Sequence, residues 1–202
     1  MNQLVIMAKL PVMGAVKTRL ARDIGPAAAV AAARLMLDDL LRRVGRDRHW
    51  RTILALSPPS ALRAGRWPRT DGQVAQAPGD LGAKLTNVFQ RLLPNGPVVI
   101  VGADCPDMQA DDIRRAFHAL RAHRAVLGPA TDGGYWLVGL ARPRRNIFQK
   151  VRWSTEHARA DTLAGMSGMR VALLDTLTDI DSGDDYRQWR RRTRSARRLK
   201  GS

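Results

Sequence analysis

Short runs of β-branched and apolar residues recur along this chain, separated by longer stretches, and that alternation restricts the fold more than any other feature. The runs are LVIMA from Leu4, TILALS from Thr52, VVIVGAD from Val98, AVLGPA from Ala125, YWLVGL from Tyr135 and RVALL from Arg170. Bounded apolar runs of this length read as strands buried on both faces. Between them, Pro26 to Arg46 places Val30, Leu37, Leu40, Leu41 and Val44 at helical spacing, and Asp111 to His123 does the same with Ile113, Phe117 and Leu120. Both stretches are expected to be helices that lay one apolar stripe on a sheet. The prediction is an α/β fold, with a central, mostly parallel sheet covered by helices on both faces. Ser57 to Pro78 is rich in Pro, Gly, Arg and Ser and reads as an irregular connection with one short strand near Val74. At 202 residues, with no repeat or low-complexity linker, one domain is expected.

The formal charge of +16 points toward anionic partners, but its distribution matters more than its size. From Arg187 to Ser202 the chain carries eight Lys/Arg and no acid, so half of the excess belongs to a basic C-terminal tail, 187–202, and +8 remains on 1–186. That tail reads as a solvated terminal helix, with nucleic-acid or membrane contact as the sharper alternative. No apolar run reaches the roughly 18–20 residues of a membrane span. The stretch Met1 to Ala8 shows neither a basic leader nor a small-residue cleavage site, so a cytoplasmic location is expected. The lone cysteine, Cys105, excludes an internal disulfide framework and a Cys/His zinc cluster. No base stands near it in sequence, so it is expected to have no nucleophilic role.

In a parallel sheet, ligands bind beyond the carboxyl ends of the strands, and the residues following each run are accordingly where chemistry is expected. After the first run comes a Pro- and Gly-containing loop, Lys9 to Leu20, holding Gly14 and ending in Lys17, Thr18 and Arg19. Ammonium, guanidinium and loop amides are the donors that phosphate oxygens require. Val16 stands where a Walker loop needs glycine, so this is a different kind of phosphate loop. After VVIVG comes Asp104-Cys105-Pro106-Asp107. A carboxylate at the end of so apolar a strand suits Mg²⁺ or Mn²⁺, which take oxygen ligands and complete their shell with water and substrate phosphate. Asp107 or Asp111 is expected to cap the following helix. Asp132-Gly133-Gly134-Tyr135 reads either as a hairpin turn or as a loop in which Asp132 orients an acceptor or takes its proton. Asp179-Ile180-Asp181 offers late carboxylates to the same metal; an extended backbone points the two in opposite directions, so one is expected to ligate.

Taken together, Lys9 to Leu20, Gly79-Asp80-Leu81-Gly82, Gly102 to Asp107, Gly128-Pro129, Asp132 to Tyr135, Trp153-Ser154-Thr155 and Asp179-Ile180-Asp181 resemble the DUF2064 family of GT-A-like transferases. The resemblance runs to about Tyr186 and leaves out the basic tail; Leu10 and Met13 replace the family's usual Ala and Pro. It implies a single-domain nucleotide-diphospho-sugar transferase fold. It further implies that Lys9, Gly14, Lys17, Thr18 and Arg19 hold nucleotide phosphates and that Gly79, Asp80 and Gly82 line the nucleotide pocket. Asp104 matches the metal-binding aspartate, Asp181 the later metal contact with Asp179 as second choice. Asp132, Gly133, Gly134 and Tyr135, with Trp153, Ser154 and Thr155, fall where an acceptor is expected. The expected function is metal-dependent glycosyl transfer from a nucleotide-sugar to a small-molecule acceptor, with Asp104 and Asp132 carrying the chemistry. Nucleotidyl transfer from an NTP with pyrophosphate release is the alternative, and nucleic-acid binding through the tail a third reading.

Overall fold

Every one of the apolar runs forms a strand in the computed structural model, which describes residues 1–64, 67–180 and 182–199. β1 (Gln3–Lys9) is buried on both faces: Leu4, Ile6 and Ala8 join one apolar cluster, Val5 and Met7 the other. It pairs in parallel with β2 (Arg51–Ser57) along one edge and with β4 (Val98–Gly102) along the other. β3 (Gly72–Ala75), the short strand expected near Val74, extends the sheet beyond β2. On the opposite side come β6 (Tyr135–Leu140), β5 (Ala125–Pro129) and β7 (Val171–Leu173), giving a seven-stranded sheet of order β3-β2-β1-β4-β6-β5-β7. Among these strands β6 alone runs antiparallel to its neighbours. The carboxyl ends of the others therefore share one edge, and the reversal of β6 brings its first residue, Tyr135, to that same edge.

Helices cover both faces. On one, α2 (Pro26–Val44) buries Leu37, Leu40, Leu41 and Val44, and α5 (Ala110–Ala119) buries Ile113, Ala116 and Phe117. Val30 stays only half-buried; Ala29, Ala32 and Met36 carry the stripe through the first half of α2. On the other face lies α4 (Leu81–Leu92), with Leu85, Val88, Phe89 and Leu92 packed against Val5, Ile53 and Ile100. Its period is as clear as those of α2 and α5. Asp80 caps it, accepting a hydrogen bond from the Ala83 amide at 2.8 Å. α1 (Thr18–Ile24), α3 (Ala61–Ala64) and α6 (Ala158–Gly165) are short connecting helices.

The cap of α5 differs from expectation. Gln109 and Asp112 form a reciprocal capping box, the Gln109 amide donating to Asp112 Oδ2 at 2.7 Å. Asp111, already inside the helix, pairs instead with Arg114, and Asp107 reaches Arg192 at 3.2 Å. At the carboxyl edge of the sheet, the buried Gln76 amide donates to Ala8 O at 3.2 Å and Ala55 O at 2.7 Å, satisfying carbonyls where β1 and β2 end.

α7 (Gly183–Leu199) begins before Tyr186 and continues through the basic stretch; residues 200–202 lie outside the described residues. Trp189, 4% exposed, and Tyr186 pack onto Met36 and Leu35 of α2 and onto Ile180. Among the described residues no helix is long and apolar enough to cross a membrane. Truncating a buried Trp costs about 3–5 kcal/mol. Trp189→Ala is therefore expected to lower the unfolding free energy by about 3 kcal/mol in a urea titration, whereas Gln188→Ala, on the exposed side of the same helix, is expected to change it by less than about 0.5 kcal/mol.

Candidate functional site

At the carboxyl edge of the sheet lies a cavity of about 570 Å³, lined by Lys17, Thr18, Arg19, Leu20, Leu81, Asp104, Asp132, Gly134, Tyr135, Trp153, Ser154, Thr155, Glu156, Ala158 and Asp179. Three strand ends converge here: the loop after β1 brings Lys17 to Arg19, the loop after β4 brings Asp104, and the β5–β6 connection brings Asp132, Gly134 and Tyr135. Lys17 Nζ lies 3.1 Å from Asp104 Oδ1 and donates to Ile180 O at 2.7 Å. The Ile180 amide in turn donates to Asp104 O at 3.0 Å, tying the late segment to the loop after β4. The Lys17 side chain is only 10% exposed, while that of Asp104 is 54% exposed and open to the cavity.

The β5–β6 connection forms the hairpin turn that one reading of the sequence offered. Asp132 Oδ1 accepts from the Gly134 amide at 2.8 Å, closing the turn, and the same side chain faces the cavity. Gly133 has φ +86°, and a Cβ there would meet the main chain of Glu156 at 2.4 Å, so this turn and the Trp153–Glu156 segment touch backbone to backbone. The latter segment is held by Arg152, whose guanidinium forks onto Asp161 with both contacts at 2.8 Å. Those hydrogen bonds hold the Asp161 carboxyl well below the usual carboxylate range.

Tyr135 and Trp153 meet edge to face, ring centres 6.4 Å apart, and form the aromatic wall of the cavity. Burial pushes the Tyr135 phenol above its ordinary range, so it can donate a hydrogen bond but does not ionise near neutrality. Gly82 lies beneath this wall, where a Cβ would stand 2.8 Å from Phe148 O and 3.1 Å from the Trp153 indole nitrogen.

The expected residues divide cleanly. Lys17, Thr18, Arg19, Asp104, Asp132, Gly134, Tyr135, Trp153, Ser154, Thr155 and Asp179 come together around one cavity. Lys9 ends β1 exposed, Gly14 sits in the open loop beyond it, and Gly79, Asp80, Gly82 and Gly133 support the surroundings without lining it. Asp181 lies outside the described residues. Leu20, Leu81, Glu156 and Ala158 line the cavity without having been given a role; Leu20 and Leu81 lie within recognised motifs and Glu156 adjoins one, and that was the available signal. The Ile180 carbonyl has no such signal, because any residue carries one. Among the described residues no group of three or more His, Cys, Asp or Glu side chains forms a ready-made metal cage.

Cys105 is 2% exposed, with its thiol 3.7 Å from Thr178 O. Burial, with nearby Asp179 adding to it, pushes the thiol up to about 12. At pH 8 only about one thiol in ten thousand is then ionised. Native protein is expected to leave Cys105 unmodified by iodoacetamide at that pH over hours, and protein unfolded in urea to alkylate it fully, as read by intact mass. Rapid labelling of the native form would contradict the environment described.

A family model described as "Uncharacterized protein conserved in bacteria (DUF2064)" matches residues 40–155. No curated protein matches the chain. Among solved structures, a protein of Desulfovibrio desulfuricans provisionally designated a nucleotide-diphospho-sugar transferase superposes with a TM-score of 0.80 at 26% identity, covering 90% of this chain and 82% of its own. Rv0371c of Mycobacterium tuberculosis, solved in complex with manganese, gives 0.53 at 22% identity, covering 93% and 96%. Molybdopterin-guanine dinucleotide biosynthesis protein A of Archaeoglobus fulgidus gives 0.56 at 11% identity, covering 94% and 96%. The fold is that of the nucleotide-diphospho-sugar transferases.

Proposed function

We propose that this chain, which belongs to the DUF2064 family, is a transferase that moves a glycosyl group from a nucleotide-sugar to a small-molecule acceptor. The observation that carries the reading is the meeting of Lys17 and Asp104, 3.1 Å apart, where β1 and β4 end beside one cavity. A basic loop opposite a strand-end carboxylate is the arrangement that a diphosphate and its cation require.

Lys17, Thr18 and Arg19 bind the diphosphate oxygens, and the helix that starts at Thr18 adds amide donors. Asp104 and Asp179 line the same cavity with hard oxygen donors, and the half-exposed Asp104 carboxylate suits Mg²⁺ or Mn²⁺ completed by water and donor phosphate. Asp181 is proposed as a further ligand. When bound, the cation neutralises charge that collects on the leaving diphosphate. Tyr135 and Trp153 supply an apolar, aromatic wall against which a ring can lie, and Asp132 faces an acceptor entering beside them. The acceptor oxygen forms the new bond to the anomeric carbon while the bond to the diphosphate breaks. The electron pair leaves with the nucleoside diphosphate, and Asp132 takes the acceptor proton. Rate enhancement then comes from positioning and from donors arranged around the oxygens that gain charge.

Nucleotidyl transfer is the second reading, favoured by the breadth of the fold: the A. fulgidus protein is named for dinucleotide biosynthesis, and a further structure of this fold, at 11% identity, is a CMP-sugar-acid synthetase complexed with CTP. In such a reaction on this chain, a phosphorylated acceptor would attack the α-phosphorus of an NTP and pyrophosphate would leave. Product analysis separates the two. Incubation with nucleotide-sugars is expected to release a nucleoside diphosphate, and with NTPs to release no pyrophosphate; the reverse pattern assigns nucleotidyl transfer.

Asp104→Ala is expected to lower kcat/KM by at least about a hundredfold while keeping the circular dichroism spectrum of the folded protein, with a melting temperature lowered by the loss of the Lys17 partner. Wild-type turnover in that variant would remove Asp104 from the mechanism.

A further inference from the structure

Lys17 occupies a place that its own backbone disfavours. It has φ 47° and ψ 46°, the left-handed region that long side chains rarely adopt, and it stands at the N-cap of α1 without making a side-chain cap bond. A cation also opposes the positive end of a helix. What offsets these local costs is the pair of oxygens that receives its ammonium, Asp104 Oδ1 at 3.1 Å and Ile180 O at 2.7 Å. The main chain that carries the two is tied together independently of Lys17. The Ile180 amide is bonded to Asp104 O at 3.0 Å, and the Ile180 side chain, 2% exposed, is clamped between Met36 and Trp189. A carboxylate oxygen and a main-chain carbonyl oxygen that converge on one ammonium are ligands that a divalent cation accepts as readily.

We propose that Lys17 is a resident counter-ion: its ammonium fills the cation position at Asp104 until a donor diphosphate draws it away, so that metal and donor enter together. The proposal rests on the reading of Asp104 as a metal ligand given above. A diphosphate offers Lys17 more negative charge than the single Asp104 carboxylate, so the exchange would leave Lys17 neutralised by phosphate and Asp104 available to hold the cation. Without donor, metal and Lys17 compete for the same oxygens. If the ammonium fills the position about nine-tenths of the time, apparent metal affinity falls about tenfold, because only the vacated fraction binds.

Mn²⁺ alone is the probe, titrated into nucleotide-free protein and followed by loss of the free-ion electron paramagnetic resonance signal. Lys17→Met keeps the length of the side chain without its charge; Lys17→Gly removes the charge and also relieves the left-handed backbone. Both are expected to bind Mn²⁺ about tenfold more tightly than wild type, and adding Asp104→Asn to Lys17→Met is expected to abolish the gain. Folding of each variant is checked by its melting curve. Equal or weaker Mn²⁺ binding in both Lys17 variants, with Asp104→Asn still abolishing it, overturns the counter-ion and leaves the metal role of Asp104 standing. Mn²⁺ binding that survives Asp104→Asn, or no Mn²⁺ binding in any of the proteins, overturns both.

Discussion

β1 is hydrogen-bonded along both edges and buried on both faces, and such a strand can be left only at its ends. Parallel partners force each connection to cross back over the sheet, so the chain leaves β1, β2 and β4 at the same edge and returns from the other. The loops after β1 and β4 must therefore emerge side by side. Lys17 and Asp104, far apart in sequence, meet because their strands are neighbours in the sheet. Gln76 marks how tightly that edge is closed, since its buried amide serves the carbonyls that the ladder leaves over.

A second layer of support lies behind the cavity. Ile180 joins the two halves of it: its amide faces the loop after β4, its carbonyl faces the loop after β1, and its side chain enters the cluster that α7 seals against α2. Gly183 adds a tie from the start of α7 to Asp23, its amide donating to Oδ2 at 2.7 Å. The basic helix is thus a structural part of the protein at its near end, whatever its arginines meet at the far end. Charge composition described the exposed surface of this segment and concealed its buried one, because Trp189 and Tyr186 are outnumbered by the arginines around them.

How much of this was legible in the sequence follows from what each feature depends on. The central strands were, because residues buried on both faces form unbroken apolar runs, and β7, although half-exposed, carries one too. α2 and α5 were, because their stripes are regular, while α4 went unassigned although Leu85, Val88, Phe89 and Leu92 carry the same period. Most of the polar and aromatic side chains around the cavity were found through their position after strands and through motif resemblance. Main-chain contributors were not: the Ile180 carbonyl, the left-handed backbone of Lys17 and the touching turns at Gly133 and Glu156 depend on which segments lie against each other. The reversal of β6 was likewise hidden, since an apolar run buried on both faces looks the same in either direction.

The two ends of the sheet carry a different consequence. β3 has four residues and β7 three, so each outer margin offers little unpaired backbone to another chain. An open parallel sheet can in principle grow laterally by recruiting a strand from a second molecule, and short margins are one of the ways in which proteins prevent it. Leu173, 59% exposed on β7, is the apolar residue that such growth would use first. The net charge of +16 adds a long-range repulsion between copies, which salt screens and strand length does not. Resistance to sheet-to-sheet aggregation is thus built at two ranges, and raising the ionic strength leaves the protein relying on the shortness of β3 and β7 alone.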